Sequence, residues 1–221
     1  MLISCWSVKG GSGTTVVAAA LALALARSGP VTLADLGGDL PAALGIDDPG
    51  RSGLADWLAA GPDVGEAALD RIALAAAPGL TLLPRGGPPG RLGALTGLPV
   101  DSGSALAAAL GRRGTVVVDC GLVEPDQPGW ALATEAQQSL LVIRPCYLAL
   151  RRAYACPLRP SGVVLVKEPG RSLDGGDVED VLGVPVTAEV PWAEIVARAV
   201  DAGLLASRLP RVLRCAIEAA A

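Results

Sequence analysis

The chain has 221 residues, 51% of them hydrophobic and 18% charged, with a net charge of -4. This balance is typical of a globular chain with a substantial core, and the acidic charge argues against a protein that mainly grips the DNA backbone. The sequence contains no His and no Phe, so the commonest metal ligand and the commonest general base at neutral pH are excluded.

Cysteine usage and hydropathy point to a cytoplasmic protein. The five cysteines include no C-x-x-C pair, which argues against a zinc site or a disulfide framework and favours a reduced compartment. No basic leader precedes the first apolar run, so no signal peptide is expected. The longest apolar run, residues 16–26, is too short to span a bilayer.

Short apolar runs alternate with Ala- and Leu-rich segments along the whole chain. The runs read as seven buried parallel strands, at residues 2–8, 31–36, 80–83, 115–119, 140–143, 163–166 and 186–190. The other segments predict helices at residues 14–28, 53–60, 64–76, 104–112, 129–137, 148–156, 178–182, 193–202 and 210–220, and a Gly/Pro loop at residues 86–91. The alternation predicts an α/β fold with a doubly wound, mostly parallel sheet covered by helices on both faces. No linker or repeat divides it, so a single domain is expected over residues 1–221.

The turn between the first strand and the first helix carries the strongest motif. It reads SVKGGSGTT over residues 7–15, with three glycines among residues 10–13. At this place a doubly wound fold presents backbone N–H groups and a helix N-terminus to an anion, and glycines allow a tight concave loop. A hydroxyl in the first helical turn suits a magnesium ion held by phosphates. Nucleotide contacts are therefore predicted for Gly10, Gly11, Ser12, Gly13, Thr14 and Thr15, with Thr15 also at the metal.

The segment KGGSGTT at residues 9–15 resembles the deviant Walker A motif, K-G-G-x-G-K-[ST], of the ParA/MinD ATPases. This group of P-loop NTPases includes the CpaE and TadZ proteins, which place pili at cell poles. Residues 31–36 resemble the family's second strand, and residues 116–121 resemble its Walker B segment. Residues 184–192 resemble the stretch before its adenine-contacting loop. The resemblance covers nearly the whole chain and implies ATP and Mg²⁺ as ligands, with Pro191 and Trp192 at the base.

The sequence departs from the family pattern in the phosphate loop and near the base. Thr14 stands where relatives carry a lysine that reaches the β- and γ-phosphates and supports the transition state, and a threonine cannot supply that charge. Lys9 matches the signature lysine, which in relatives crosses a sandwich dimer to the partner's nucleotide. The resemblance thus implies a catalytic role for Lys9 and a homodimer. Residues 166–168 lack the Asn that often helps relatives to read adenine, which leaves base specificity open.

Three aspartates lie at or just past the ends of predicted strands, where carboxylates face the ligand crevice of a parallel sheet. The resemblance implies that Asp35 is catalytic by positioning water and that Asp119 contacts magnesium through water. Asp39 is a further candidate for contact with the metal. Since Asp and Gly together also favour tight turns, turn chemistry remains an alternative for Asp35 and Asp39.

Basic residues give weaker signals. Arg144, Arg151 and Arg152 surround the start of one predicted helix, and in an acidic chain a solvated helix face is favoured over DNA contacts. The arginines near the C-terminus recur at a spacing of three among apolar residues: Arg208, Arg211 and Arg214. This pattern fits a membrane-surface helix, as in the tail of MinD, or a terminal helix packed on the sheet. Without a bulky aromatic anchor, packing is favoured, and membrane binding stays an alternative.

Three functional hypotheses follow. The first is a ParA/MinD-like positioning protein that binds ATP weakly, acts as a dimeric scaffold and hydrolyses slowly or not at all. The second is an active ATPase in which Lys9 or a partner's arginine replaces the lost charge. The third is an interaction module without nucleotide. The machine that is positioned and the protein partner are not specified by the sequence.

Overall fold

A computed structural model describes residues 1–47, 52–61, 64–87, 95, 98 and 101–218. Within these residues the chain forms one mixed sheet with helices on both faces. Its strands are β1 (Leu2–Ser7), β2 (Val31–Asp35), β3 (Leu74–Ala77), β4 (Leu80–Leu83), β5 (Thr115–Leu122), β6 (Gln138–Ile143), β7 (Gly162–Lys167) and β8 (Val186–Pro191). Its helices are α1 (Thr14–Leu25), α2 (Leu40–Leu44), α3 (Leu54–Ala60), α4 (Ala67–Ile72), α5 (Ser102–Gly111), α6 (Pro128–Glu135), α7 (Tyr147–Ala155), α8 (Gly175–Leu182), α9 (Glu194–Asp201) and α10 (Arg211–Ile217).

The strand order across the sheet is β3-β4-β2-β5-β1-β6-β7-β8, and every neighbouring pair except β3–β4 is parallel. The predicted doubly wound α/β fold is confirmed. Because β1 lies between β5 and β6 and β2 lies beside β5, the carboxyl ends of β1, β2 and β5 meet at one edge. Within this group, the register pairs Asp35 of β2 with Asp119 of β5.

The edge of the sheet departs from the sequence prediction. The predicted helix over residues 64–76 is wrong in its last part, since α4 ends at Ile72 and β3 follows at Leu74–Ala77. Pro78 and Gly79 then form a tight turn, with Gly79 at a φ of 76°, that pairs β3 antiparallel with β4. The sheet therefore has an eighth strand, because turn geometry outweighed the helical preference of an alanine run.

Two other differences concern short segments. Helix α2 at Leu40–Leu44 was not predicted; Asp39 precedes it and Pro41 lies in its first turn, a favourable pattern for a helix start. Residues 88–91 of the predicted Gly/Pro loop and residues 219–220 of the predicted last helix lie outside the described residues.

The core forms two layers, one on each face of the sheet. One layer packs α3, α4, α5, α6, α7 and α8 on the sheet, and the other packs α1, α2, α9 and α10. Leu213 and Ile217 of α10 are fully buried in the second layer, as the packed interpretation of that helix predicted. No helix in the described part of the chain combines the length and hydropathy needed to cross a membrane.

The contact between α2 and α9 depends on glycine, and this allows a stability test. Gly45 ends α2 with a φ of 75°, and a Cβ at this position would overlap the carbonyl oxygen of Gly203. Both the backbone strain and the overlap must be relieved in Gly45→Ala, so we expect a loss of about 2–4 kcal/mol in the free energy of unfolding. Gly29→Ala is the control, because a Cβ at Gly29 meets nothing within 4 Å. Equal urea midpoints for the two variants would contradict the close packing described.

Candidate functional site

The phosphate loop joins β1 to α1 at the edge where the strands β1, β2 and β5 end. Gly11 and Gly13 have φ values of 75° and 95°, a region that side-chain-bearing residues rarely adopt. The Ser12 hydroxyl donates to the carbonyl oxygen of Lys9 at 2.7 Å, which closes the turn. A Cβ placed on Gly10 or Gly11 would meet nothing within 4 Å, so the space above the loop is open. The loop therefore has the concave backbone and the room that a phosphate group needs.

Two buried aspartates lie beside this loop. Asp35, the last residue of β2, and its register partner Asp119 within β5 are fully buried. Asp35 is held by two backbone donors, since Gly38 N–H donates to its Oδ1 at 2.6 Å and Leu40 N–H donates to its Oδ2 at 3.2 Å. Asp119 Oδ1 accepts from Gly121 N–H at 3.0 Å, whereas its Oδ2 is buried without a hydrogen-bond partner. The pair thus offers an acceptor that is left unsatisfied by the protein.

Burial makes both carboxyl groups reluctant to ionise. Burial first, and then the neighbouring Asp119, raises the pKa of Asp35 to about 8. Burial also raises the pKa of Asp119 to about 6, although the Thr15 side chain and the Gly121 N–H act in the opposite direction. Asp39 is exposed but near enough to raise both pKa values. A cation at this place would relieve the repulsion within the cluster.

An apolar slot of about 240 Å³ opens on the other side of the phosphate loop. Its wall begins at Gly13 on the loop and includes Pro191, the last residue of β8, and Trp192 directly after it. The remaining apolar lining comes from α1, β7, β8 and α9: Val16, Val17, Val166, Val190, Ala193, Val196, Ala197 and Val200. A flat apolar group such as a nucleobase fits such a slot, with Trp192 available for stacking.

An ion-pair group lies at the mouth of the slot, where Arg144 is part of the lining. Arg144 donates to Glu168 Oε1 at 2.5 Å, and Arg171 contacts the other oxygen of Glu168 at 2.5 Å. These arginines hold the pKa of Glu168 below its usual range. The prediction that Arg144 belongs to a solvated helix face is wrong, because it lies before α7 and forms an ion pair. Arg151 and Arg152, in contrast, are exposed on α7.

Sequence reasoning missed Arg85, which lies just beyond the end of β4. A Cβ placed on Gly38 would lie 3.3 Å from Arg85 Cδ, so this side chain covers the turn that holds Asp35. Together with Leu36, Gly37, Cys120 and Gly121 it lines a cavity of about 250 Å³ beside the acidic pair. An arginine two residues after a predicted strand was the available signal, since strand ends face the crevice.

The residues present fit a magnesium–nucleotide complex. The glycine loop offers backbone donors to phosphates, and Thr15 and Asp119 lie together with an unpaired carboxylate oxygen. Within the described ranges, no group of three or more His, Cys, Asp or Glu residues forms a metal cage of its own. That is the usual arrangement for Mg²⁺, which takes one or two protein ligands and completes its shell with phosphates and water. When bound, the nucleotide would bring negatively charged phosphates to this site, and Mg²⁺ would neutralise part of that charge.

All residues predicted from the sequence for the site lie at this edge. Lys9 and the glycine loop sit over the end of β1, Asp35 and Asp119 lie side by side, and Asp39 is close to both. Thr14 is buried as the first residue of α1, and no lysine side chain comes from the helix N-terminus. Pro191 and Trp192 lie across the slot from Gly13.

Comparison with known proteins gives consistent results. The family described as the CobQ/CobB/MinD/ParA nucleotide binding domain matches residues 3–206. The fold is similar to the cell division ATPase MinD of Pyrococcus furiosus, at 23% identity and a TM-score of 0.79 over 99% of this chain and 96% of that one. It is also similar to MinD of Pyrococcus horikoshii complexed with Mg-ADP, at 21% identity and a TM-score of 0.78 over 99% and 93%.

A third similar structure is that of a Cyanothece McdA variant in complex with ATP, at 18% identity and a TM-score of 0.73 over 98% of this chain and 94% of that one. At these identities the likeness to solved structures establishes the fold alone. No curated protein sequence matches the chain.

Proposed function

The chain belongs to the CobQ/CobB/MinD/ParA family of nucleotide-binding domains, and from that premise we propose that it is a nucleotide-dependent positioning protein. Residues 1–221 act as one domain that binds ATP and Mg²⁺ weakly and hydrolyses ATP slowly or not at all. As a dimeric scaffold it places a cellular machine of the pilus, division or partition type, closest to the CpaE/TadZ branch.

A single observation carries the low-turnover part of this proposal. The glycine loop keeps its left-handed residues and its open space, and the acidic pair keeps an unpaired oxygen, but Thr14 occupies the position of the motif lysine. A neutral hydroxyl cannot stabilise the charge that develops on transferring phosphate. The site therefore retains the groups for binding phosphate and lacks a main group for its transfer.

Calorimetry with Mg-ATP and a hydrolysis assay test the proposal together. Weak binding with turnover near background supports it. Fast hydrolysis would favour the active ATPase in which Lys9 or a partner's arginine supplies the missing charge. No heat of binding at any nucleotide concentration would favour the interaction module.

Assembly is proposed to use the phosphate-loop edge. Lys9 is half-buried, and no carboxylate in the described part of the chain forms an ion pair with it. Exposed apolar side chains occur at the same edge: Leu122 at the end of β5, Trp192 after β8 and Ile195 in α9. A two-fold partner on this face would cover these side chains and bring Lys9 to the second nucleotide.

We expect Mg-ATP to promote a dimer of the wild type and Lys9→Ala to weaken that dimer by about tenfold or more, because a charge-assisted contact across the interface is lost. Sedimentation velocity of both proteins, each with and without Mg-ATP, measures this. Arg208→Ala is a matched control, since it removes an exposed positive charge outside the phosphate loop. A monomer under all conditions would reject the dimer.

A further inference from the structure

Helix α7 presents an unusual exposed face. The only two tyrosines of the chain, Tyr147 and Tyr154, both lie on this nine-residue helix and are 73% and 68% exposed. They are seven residues apart with Arg151 between them, so the three side chains share one face of the helix. Leu148, also exposed, extends the apolar part of the face. Tyrosine and arginine together are the residues most enriched where protein interfaces gain their binding energy.

The charge of this face is entirely positive. Arg151 and Arg152 are exposed, and neither forms an ion pair within the described residues. Helix α7 itself contains no Asp or Glu. The face therefore offers two unpaired guanidinium groups flanked by aromatic rings, which a surface of opposite charge would complement.

The complementary surface lies on the neighbouring helix. Helix α8 packs beside α7 in the same layer. Its exposed side chains include Asp177, Asp180 and Val181, at spacings of three and four that put them on one face. Neither carboxylate has a cationic partner in the part of the chain that the structure describes. The basic residues of α7, flanked by apolar side chains, thus lie next to the acidic residues of α8, which are accompanied by the apolar Val181.

We propose that α7 and α8 form a two-fold interface with a second copy of this chain. In a two-fold contact each α7 lies on the partner's α8, so the basic stripe meets the acidic stripe twice and Val181 approaches the tyrosines. The partner is a second copy of this chain because the surface formed by α7 and α8 carries both the basic and the acidic residues that such a contact pairs. The interface is separate from the phosphate-loop dimer and does not require nucleotide.

A charge-swap experiment tests the interface in Lys9→Ala protein without nucleotide, so that the phosphate-loop dimer does not contribute. One variant carries Arg151→Glu and Arg152→Glu, and the other carries Asp177→Lys and Asp180→Lys. Each places like charges opposite each other, so self-association should weaken by about tenfold or more. In an equimolar mixture the two variants restore opposite charges at both contacts, so a heterodimer should form. The control, Arg208→Glu with Arg211→Glu, changes the net charge by the same amount as the arginine variant but on the other layer, and it should self-associate as the parent does.

Sedimentation equilibrium at about 10 μM to 1 mM measures these states, in a range that covers transient interfaces. The proposal is supported if the parent dimerises and the dimer weakens with added salt. Each variant must then lose dimerisation, and the mixture of the two must recover it. Asp177 also accepts from the Asp174 N–H at the start of α8, so thermal melting accompanies that variant. A parent that is monomeric at the highest concentration overturns the proposal irrespective of the variants. Variants that associate like the parent, or a mixture that stays monomeric, also overturn it.

Discussion

Thr14→Lys is expected to raise the affinity for Mg-ATP, the turnover, or both by a factor of about 10²–10³. The position is the first residue of α1, directly after the left-handed Gly13, and the space above Gly10 and Gly11 is open. A lysine stem leaving this turn can therefore reach a phosphate held by the loop. Removing one charge contact to the transition state lowers the rate of other enzymes by this factor. Restoring such a contact here should raise the rate by a similar factor, because the remaining groups of the site are in place.

Single-turnover hydrolysis and calorimetry separate a gain in chemistry from a gain in affinity. Thr14→Gln is the matched control, since it lengthens the side chain without adding charge and should leave both quantities close to wild type. If wild type already hydrolyses ATP as fast as Thr14→Lys, Thr14 is not the deficit. If Thr14→Gln gains as much as Thr14→Lys, side-chain length rather than charge is responsible.

The fold was predictable because its signals are local. Continuous apolar runs bounded by Gly and Pro mark parallel strands, and a glycine loop after the first of them marks the ligand edge. The eighth strand was missed, although Pro78-Gly79 between two apolar runs is a turn signal. The alanines of β3 favour a helix, and only pairing with β4 makes them a strand.

The site was predictable only in part, for a similar reason. Asp35 and Asp119 each end a run of apolar strand residues, so their place at the edge can be inferred from the chain alone. Arg85 lies against Gly38, and Arg144 pairs with Glu168. Both neighbours are distant in sequence, so no residue spacing predicts either contact. The slot lining is likewise assembled from four elements whose valines look like ordinary core residues in the sequence.

The buried acidic pair predicts an inverted pH dependence of stability when divalent cations are removed. The pKa of Asp35 is about 8 and that of Asp119 about 6 in the folded chain, whereas unfolded aspartates titrate near about 3.9. Between these values the folded state holds protons that the unfolded state releases. The stability contribution is therefore full below about pH 4 and is lost as the pH rises to about 8.

We expect wild type to lose about 2–4 kcal/mol of unfolding free energy between about pH 5 and 8.5 in the presence of a chelator, and Asp119→Asn to lose markedly less. At the upper end of this range Asp119→Asn should be the more stable protein by about 1–3 kcal/mol, because it removes one of two like charges from a buried site. Added Mg²⁺ should recover stability at high pH in wild type but not in the variant. Asp47→Asn, which removes an exposed carboxylate, is the control and should follow wild type. Urea unfolding across this pH range measures these differences. If the unfolding free energies of wild type and Asp119→Asn changed in parallel with pH, Asp35 and Asp119 would not repel each other. The physical reason for a cation at this edge would then be lost.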